Sequence, residues 1–167
     1  TGTGNDYTIT ITDAQVTAAD LNALNTKTDK AITINNVIGI TGSVADVKKF
    51  YADADKVDAN NNNAATDFVN ASDNEAVTLT DTTVDAGDLA TIRAAAGPGT
   101  SGVVTLSNVT TLTGTSTEIK NAVHSGGFGN VSGIPNNVTA TISEATVNAE
   151  NLKLIDAAIG GLVTVDS

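Results

Sequence analysis

Few residues in this sequence have types and spacing that suit chemistry. Asp58, Asn60 and Asn62 place oxygen-bearing side chains at alternate positions of a polar stretch, with Asn63 where a calcium loop wants glycine. Alternation lets a tightly turning loop aim successive hard oxygen ligands inward, as calcium requires. Val69 stands where a closing glutamate belongs, so a solvated, turn-rich loop is the competing reading. A second set is a row of hydroxyls. Thr10, Thr33, Thr78, Thr105, Thr141 and Thr164 hold the same place in six strand-like segments, and Thr12, Asn35, Thr80, Ser107, Ser143 and Asp166 stand two residues on. If the strands stack in order, these become two outward files at the strand spacing of about 4.8 Å. Such a face suits ice or a glycan. The plainer reading is that threonine is a good β-former for a wet sheet face.

Other constellations resolve into structural roles. His124 beside Ser125 does not make a base and nucleophile, because adjacent side chains rarely point together and no acid is placed to orient the ring. A histidine at a helix end, near the negative pole of the dipole, is the better account. Arg93 reads as a lone snorkelling residue on a helix. Asp85 and Asp88 could pass for paired carboxylates in acid–base work, but their spacing is that of a helix cap. Four Asn-x-Ser/Thr sequons, at Asn70, Asn108, Asn130 and Asn137, are what so much Asn and Thr produces by chance. No enzyme is expected.

The elements that would position these residues repeat. Residues 8–21, 76–89 and 139–152 align without gaps, matching Val16, Val84 and Val147, then Leu21, Leu89 and Leu152. A second type, residues 31–42 and 103–114, follows the first two copies, and residues 162–167 begin a third. The full period of about 63–72 residues, built from two halves, is that of a repeat array. It divides the single segment 1–167 into units of roughly 7–75, 76–137 and 138–167, the last truncated. The chain begins and ends in polar, strand-like sequence, which reads as a piece of a longer array. A processed small secreted protein is the alternative.

Each half reads as strand, turn, helix. Ile9 and Ile11 alternate with Thr8, Thr10 and Thr12, and Val77 and Leu79 with Thr78 and Thr80, the period of a half-buried strand. The helices open with cap spacing: Thr17 and Asp20, Ser43 and Asp46, Asp85 and Asp88, Thr115 and Glu118. Behind these caps, apolar residues recur at helical spacing. Strand, short helix, strand is the βα unit and demands parallel pairing, with a right-handed crossover. The expected architecture is therefore α/β: a right-handed βα solenoid of leucine-rich-repeat-like outline, with a parallel sheet on one side and short helices on the other. A compact doubly wound domain is the runner-up, though its strand order would break the repeat. Two stretches depart from the pattern, 53–75 and 125–137, both after the second helix, and read as insertions.

Composition narrows the function. The 167 residues carry no Cys, Met or Trp and one His, which excludes disulfide frameworks, thiolate zinc sites and multi-histidine metal centres. Lys plus Arg is 8 against 19 Asp plus Glu, a net charge of -11 that repels nucleic acid. No run approaches the ~18 apolar residues of a transmembrane segment.

Gly2 to Ile9, with Gly2, Gly4 and Asp6 in place, resembles the Gly-Gly-x-Gly-x-Asp-x-apolar calcium nonapeptide of RTX proteins; Gly126 to Asn130 resembles its front half, with Val131 where Asp belongs. Together with the Thr/Asp/Ala-rich halves, the chain resembles the internal repeats of giant secreted bacterial surface proteins of the hemolysin-type calcium-binding, adhesin or S-layer kind, notably in cyanobacteria. That resemblance implies type I secretion, an extracellular cell-surface location and calcium-dependent stability. The expected function is structural: an S-layer, filament or adhesin stalk that self-associates end to end or continues into covalent neighbours. Binding of ice or glycan by the threonine face is the alternative.

Overall fold

The computed structural model describes residues 7–28, 30–34, 36–54, 68–69, 75–96, 103–124 and 131–166. Asp58, Asn60 and Asn62 lie outside them. The fold is α/β, with three all-parallel sheets and five helices among the described residues.

The first half-repeat runs β1 (Ile9–Thr10), β2 (Gln15–Thr17) and α1 (Ala18–Asn25), and the second β3 (Ile32–Thr33), β4 (Gly39–Gly42) and α2 (Val44–Ala54). A short strand, β5 (Phe68–Val69), leads to the next first half: β6 (Ala76–Leu79), β7 (Thr83–Asp85) and α3 (Ala86–Ala95). Its second half is β8 (Val104–Thr105), β9 (Thr111–Gly114) and α4 (Ser116–Val123), followed by another short strand, β10 (Val131–Ser132). The chain continues through β11 (Thr139–Ile142), α5 (Ala149–Ala158) and β12 (Val163–Val165). Consecutive helices pack side by side, α1 on α2 through α4 on α5.

The sheets are ordered β1-β3-β5, then β10-β8-β6-β4-β2, then β12-β11-β9-β7. A single continuous sheet was expected; there are three. The reason lies in the two stretches read as insertions. Phe68–Val69 and Val131–Ser132 are strands, and they take the ladder places beside β3 and β8. The following first-half strand cannot occupy that place. It pairs instead one corner further along the chain, β6 on β4 and β11 on β9. Each repeat thus finishes the sheet that the preceding repeat began.

Alternation decides which face is buried. In β6 Val77 and Leu79 are fully buried while Thr78 between them is half-buried. Val84, Leu112, Ala140 and Ile142 play the same part in the third sheet. Helix residues Leu21, Val47, Leu89, Ile92, Ile119 and Ile155 close the core from the other side. Phe50 packs edge-on against Tyr51 and tilted against Phe68, each with ring centroids 5.0 Å apart. The dipeptide strand β5 is thereby anchored by its aromatic ring. Arg93, expected to snorkel, is instead only 8% exposed and engaged within the fold.

Four caps form as spaced. Thr17, Ser43, Asp85 and Thr115 accept the N–H of Asp20, Asp46, Asp88 and Glu118 at 3.1, 3.1, 3.2 and 3.3 Å. Thr115 and Glu118 make the full reciprocal box, Thr115 N–H donating to Glu118 Oε2 at 2.8 Å. Asn148 caps α5 by accepting from Glu150 and Asn151, a cap the spacing rule overlooked. After α5, Gly160 and Gly161 do more than stop a helix: a Cβ on Gly161 would sit 2.1 Å from the Val138 carbonyl oxygen. The chain passes too close to the β10–β11 connection for any side chain.

Leu89 is fully buried at the helix–sheet seam of α3. Leu89→Ala is expected to cost about 2–5 kcal/mol, read as a lower urea midpoint at unchanged slope. A loss below about 0.5 kcal/mol would place Leu89 outside the core.

Candidate functional site

The hydroxyl rows can be traced strand by strand. Thr10 pairs with Thr33, Thr78 with Thr105 and Thr141 with Thr164, each pair in register as the alignment requires. The six do not form one file. They fall as three pairs in three sheets, because β5 and β10 interrupt the sequence of strands. Other residues complete the files. The middle sheet carries Thr17, Thr41, Thr78, Thr105 and Ser132 side by side. The third carries Asp85, Thr113, Thr141 and Thr164, with a parallel file of Thr83, Thr111 and Thr139 two residues earlier. Part of this hydroxyl set is turned inward on the ladder itself. Thr139 Oγ1 lies 3.2 Å from Thr111 Oγ1, Thr113 Oγ1 lies 3.4 Å from Asp85 Oδ2, and Thr105 Oγ1 lies 3.4 Å from Ser132 Oγ. Asn35 and its side chain lie outside the described residues.

A second set of polar residues ties two second-half helices, α2 and α4, to the first half that follows each. Asp81, in the turn after β6, accepts the N–H of Val44, the first residue of α2, at 2.7 Å. Glu144, in the turn after β11, accepts the N–H of Ser116, the first residue of α4, at 3.0 Å. Both helices start on a residue whose N–H has no intrahelical acceptor, and the carboxylate sits at the positive end of the dipole. Asp81 and Glu144 hold the same place in the aligned first half-repeats, and the third residue there is Asp13. No sequence reading found this role. Its only signal is an acid at one repeat position, because the partners lie 37 and 28 residues away. Ion pairs reinforce the helix row: Lys48 bonds Asp88 across α2 and α3, and Lys49 bonds Asp53 within α2.

The two end layers are less buried than the interior at matching positions. Val84 is 1% exposed, but its counterparts Val16 and Val147 are half-buried. Val77 and Leu79 are fully buried, but Ile9 and Ile11, which match them, are not. At one end Ile11, Val16, Leu21 and Leu24 line an open groove with Asp13 on its rim. At the other, Leu152 and Val163 lie beside Leu162, which is 72% exposed.

His124 is exposed at the C-cap of α4, its N–H donating to Lys120 O at 2.9 Å. Ser125 lies outside the described residues. Asp85 serves α3 as N-cap, with Asp88 in the first turn. Among the described residues no group of three or more His, Cys, Asp or Glu is placed to hold a metal, and no helix is long and apolar enough to cross a membrane. Compared with known proteins, the chain matches no family model, no curated protein and no solved structure.

Asp81→Ala and Glu144→Ala each remove a cap between layers without touching the core. Each is expected to lower stability by about 0.5–2 kcal/mol, measured by thermal unfolding.

Proposed function

We propose that the chain is a structural repeat module of an extracellular bacterial surface assembly, an S-layer, filament or adhesin stalk. In this reading the layers form a βα solenoid that is continued end to end by further repeat layers, from covalent neighbours or other copies. One observation carries it. The apolar residues that are buried in the interior layers recur at both ends, where they are half-exposed: Val16 and Val147 against Val84, Ile9 and Ile11 against Val77 and Leu79. A chain evolved to stand alone replaces such residues by polar ones in its terminal layers. Among the described residues β1, β2 and β12 are edge strands, whose outer backbone groups seek a partner. The resemblance to secreted surface repeats supplies the location, and the low positive charge suits an exterior that avoids nucleic acid.

Light scattering across protein concentration tests the stacking, and antibodies against the chain test the location. Reversible growth with concentration is expected, and Leu162→Lys should weaken it. Growth indifferent to that substitution would argue against end-face contact. Repeating the measurement from chelator to about 10 mM calcium, the affinity range of extracellular calcium modules and above, shows whether calcium at Asp58, Asn60 and Asn62 contributes. The antibodies should label intact source cells; label appearing only after lysis defeats the surface reading.

A second reading has the middle-sheet hydroxyl file in its favour, five strands wide and unbroken. It makes that face a binding surface for ice or glycan. Thr78→Tyr, at the centre of the file, should then abolish thermal hysteresis or glycan-array binding. Absence of both activities in the parent chain removes this reading.

A further inference from the structure

The half-exposed layer that begins at β1 has a specific complement, and the interior of the same molecule shows its form. First-half strands β6 and β11 are each covered on one edge by a second-half strand. Gly39, Ile40, Thr41 and Gly42 pair with Ala76, Val77, Thr78 and Leu79. Thr111, Leu112, Thr113 and Gly114 pair with Thr139, Ala140, Thr141 and Ile142. The covering strand is in both cases apolar-Thr-Gly, followed at once by Ser43 or Thr115 as the first residue before a helix. The next amides close the joint: Thr80 N–H donates to Gly42 O at 3.0 Å and Ser143 N–H to Gly114 O at 2.9 Å. Asp81 and Glu144 then cap the incoming helices. β1 has every part of the receiving side. Thr8, Ile9, Thr10 and Ile11 match the two covered strands, Thr12 matches Thr80 and Ser143, and Asp13 matches the two capping acids. Yet among the described residues β1 is the edge of its sheet.

We propose that the face formed by β1, α1 and Asp13 is a docking site for one kind of partner, a second-half repeat layer. This rests on the stacking reading above and names what is stacked. The partner's strand, apolar-Thr-Gly-Ser/Thr, adds parallel to β1 and receives the N–H groups of Thr8 and Thr12. Its helix lies on α1 over Leu21 and Leu24, and the first N–H of that helix donates to Asp13. Ile11 already donates its own N–H to Thr33 O at 2.8 Å on the opposite edge, so the alternate amides are the ones left for the partner. A second copy of this chain does not supply such a layer, because its strands β4 and β9 are already covered by β6 and β11. Bare ends of two copies therefore associate reversibly and less tightly than this joint, which is the growth that light scattering reads.

The test joins residues 103–138, one second half with its following strand, directly ahead of Thr8, which reproduces the native junction at Thr139. Amide hydrogen exchange and thermal unfolding are compared with the parent chain. In the extended chain the Thr8 and Thr12 amides should become protected, and Asp13→Ala should lower Tm by about 2–4 °C, one capping contact in a domain of this size. In the parent chain Asp13→Ala should leave Tm unchanged within about 1 °C. Unprotected Thr8 and Thr12, or equal effects of Asp13→Ala in both chains, would overturn the proposal. Should the extended chain fail to fold, the parent still decides: if Asp81→Ala and Glu144→Ala leave Tm as unchanged as Asp13→Ala does, the cap is not part of the joint and the proposal fails. Cell labelling with antibodies does not depend on these substitutions, so failure here leaves the surface reading to be judged on its own.

Discussion

One mismatch of dimensions governs this molecule. Strands in a ladder repeat every 4.8 Å or so, whereas packed helices need about 8–10 Å between axes. The five helices among the described residues pack each on the next in chain order. A flat stack cannot satisfy both spacings. Two of the helices start on a small residue against the sheet: Ala18 and Ala86 are fully buried at the first helical position. Gly42 and Gly114 face those alanines across the layer, where an added Cβ would meet the alanine Cβ at 3.1 and 3.5 Å. The sheet is broken into three where β5 and β10 end a ladder, each new one starting a corner further along.

Those corners explain why the short strands β5 and β10 matter. Each is only two residues long, and each ends a sheet. By occupying the place that the next first-half strand would otherwise take, they shift that strand, its corner and its helix together. The helix N-termini then fall within reach of the acids of the following layer. Capping between layers is thus a consequence of the stagger: Asp81 reaches Val44 and Glu144 reaches Ser116 because the turn carrying each acid lies over the start of the preceding helix. Backbone groups that a lone helix would leave to water are satisfied by a neighbour. In the first layer the matching acid, Asp13, is exposed and, among the described residues, caps no preceding helix.

Much of this was legible beforehand. The alternation of Ile9, Ile11, Val77 and Leu79 with threonine marked the strands, the cap spacings marked four helix starts, and the gapless alignment predicted the register of Thr10 with Thr33, Thr78 with Thr105 and Thr141 with Thr164. These are local or periodic properties: strand period and cap geometry act within four residues, and a repeat copies them. Phe68–Val69 and Val131–Ser132 were not legible, since two residues in a polar stretch carry no period. The calcium triad at Asp58, Asn60 and Asn62 rests on sequence spacing alone.

The sequence by itself determined the parallel α/β character, the two-part repeat and the core-facing side of the alternating strands, as with Val77 and Leu79. Every one of these follows from side-chain period and from the need of short βα units to pair in parallel. Tertiary structure alone decided how strands are shared among three sheets, which hydroxyls stand beside one another, and that Asp81 and Glu144 serve helices begun 37 and 28 residues earlier. Such pairings depend on which layer lies against which. Val69 takes the edge beside Thr33 and Thr78 pairs with Thr41, partners too far apart in the chain for a local window to link them.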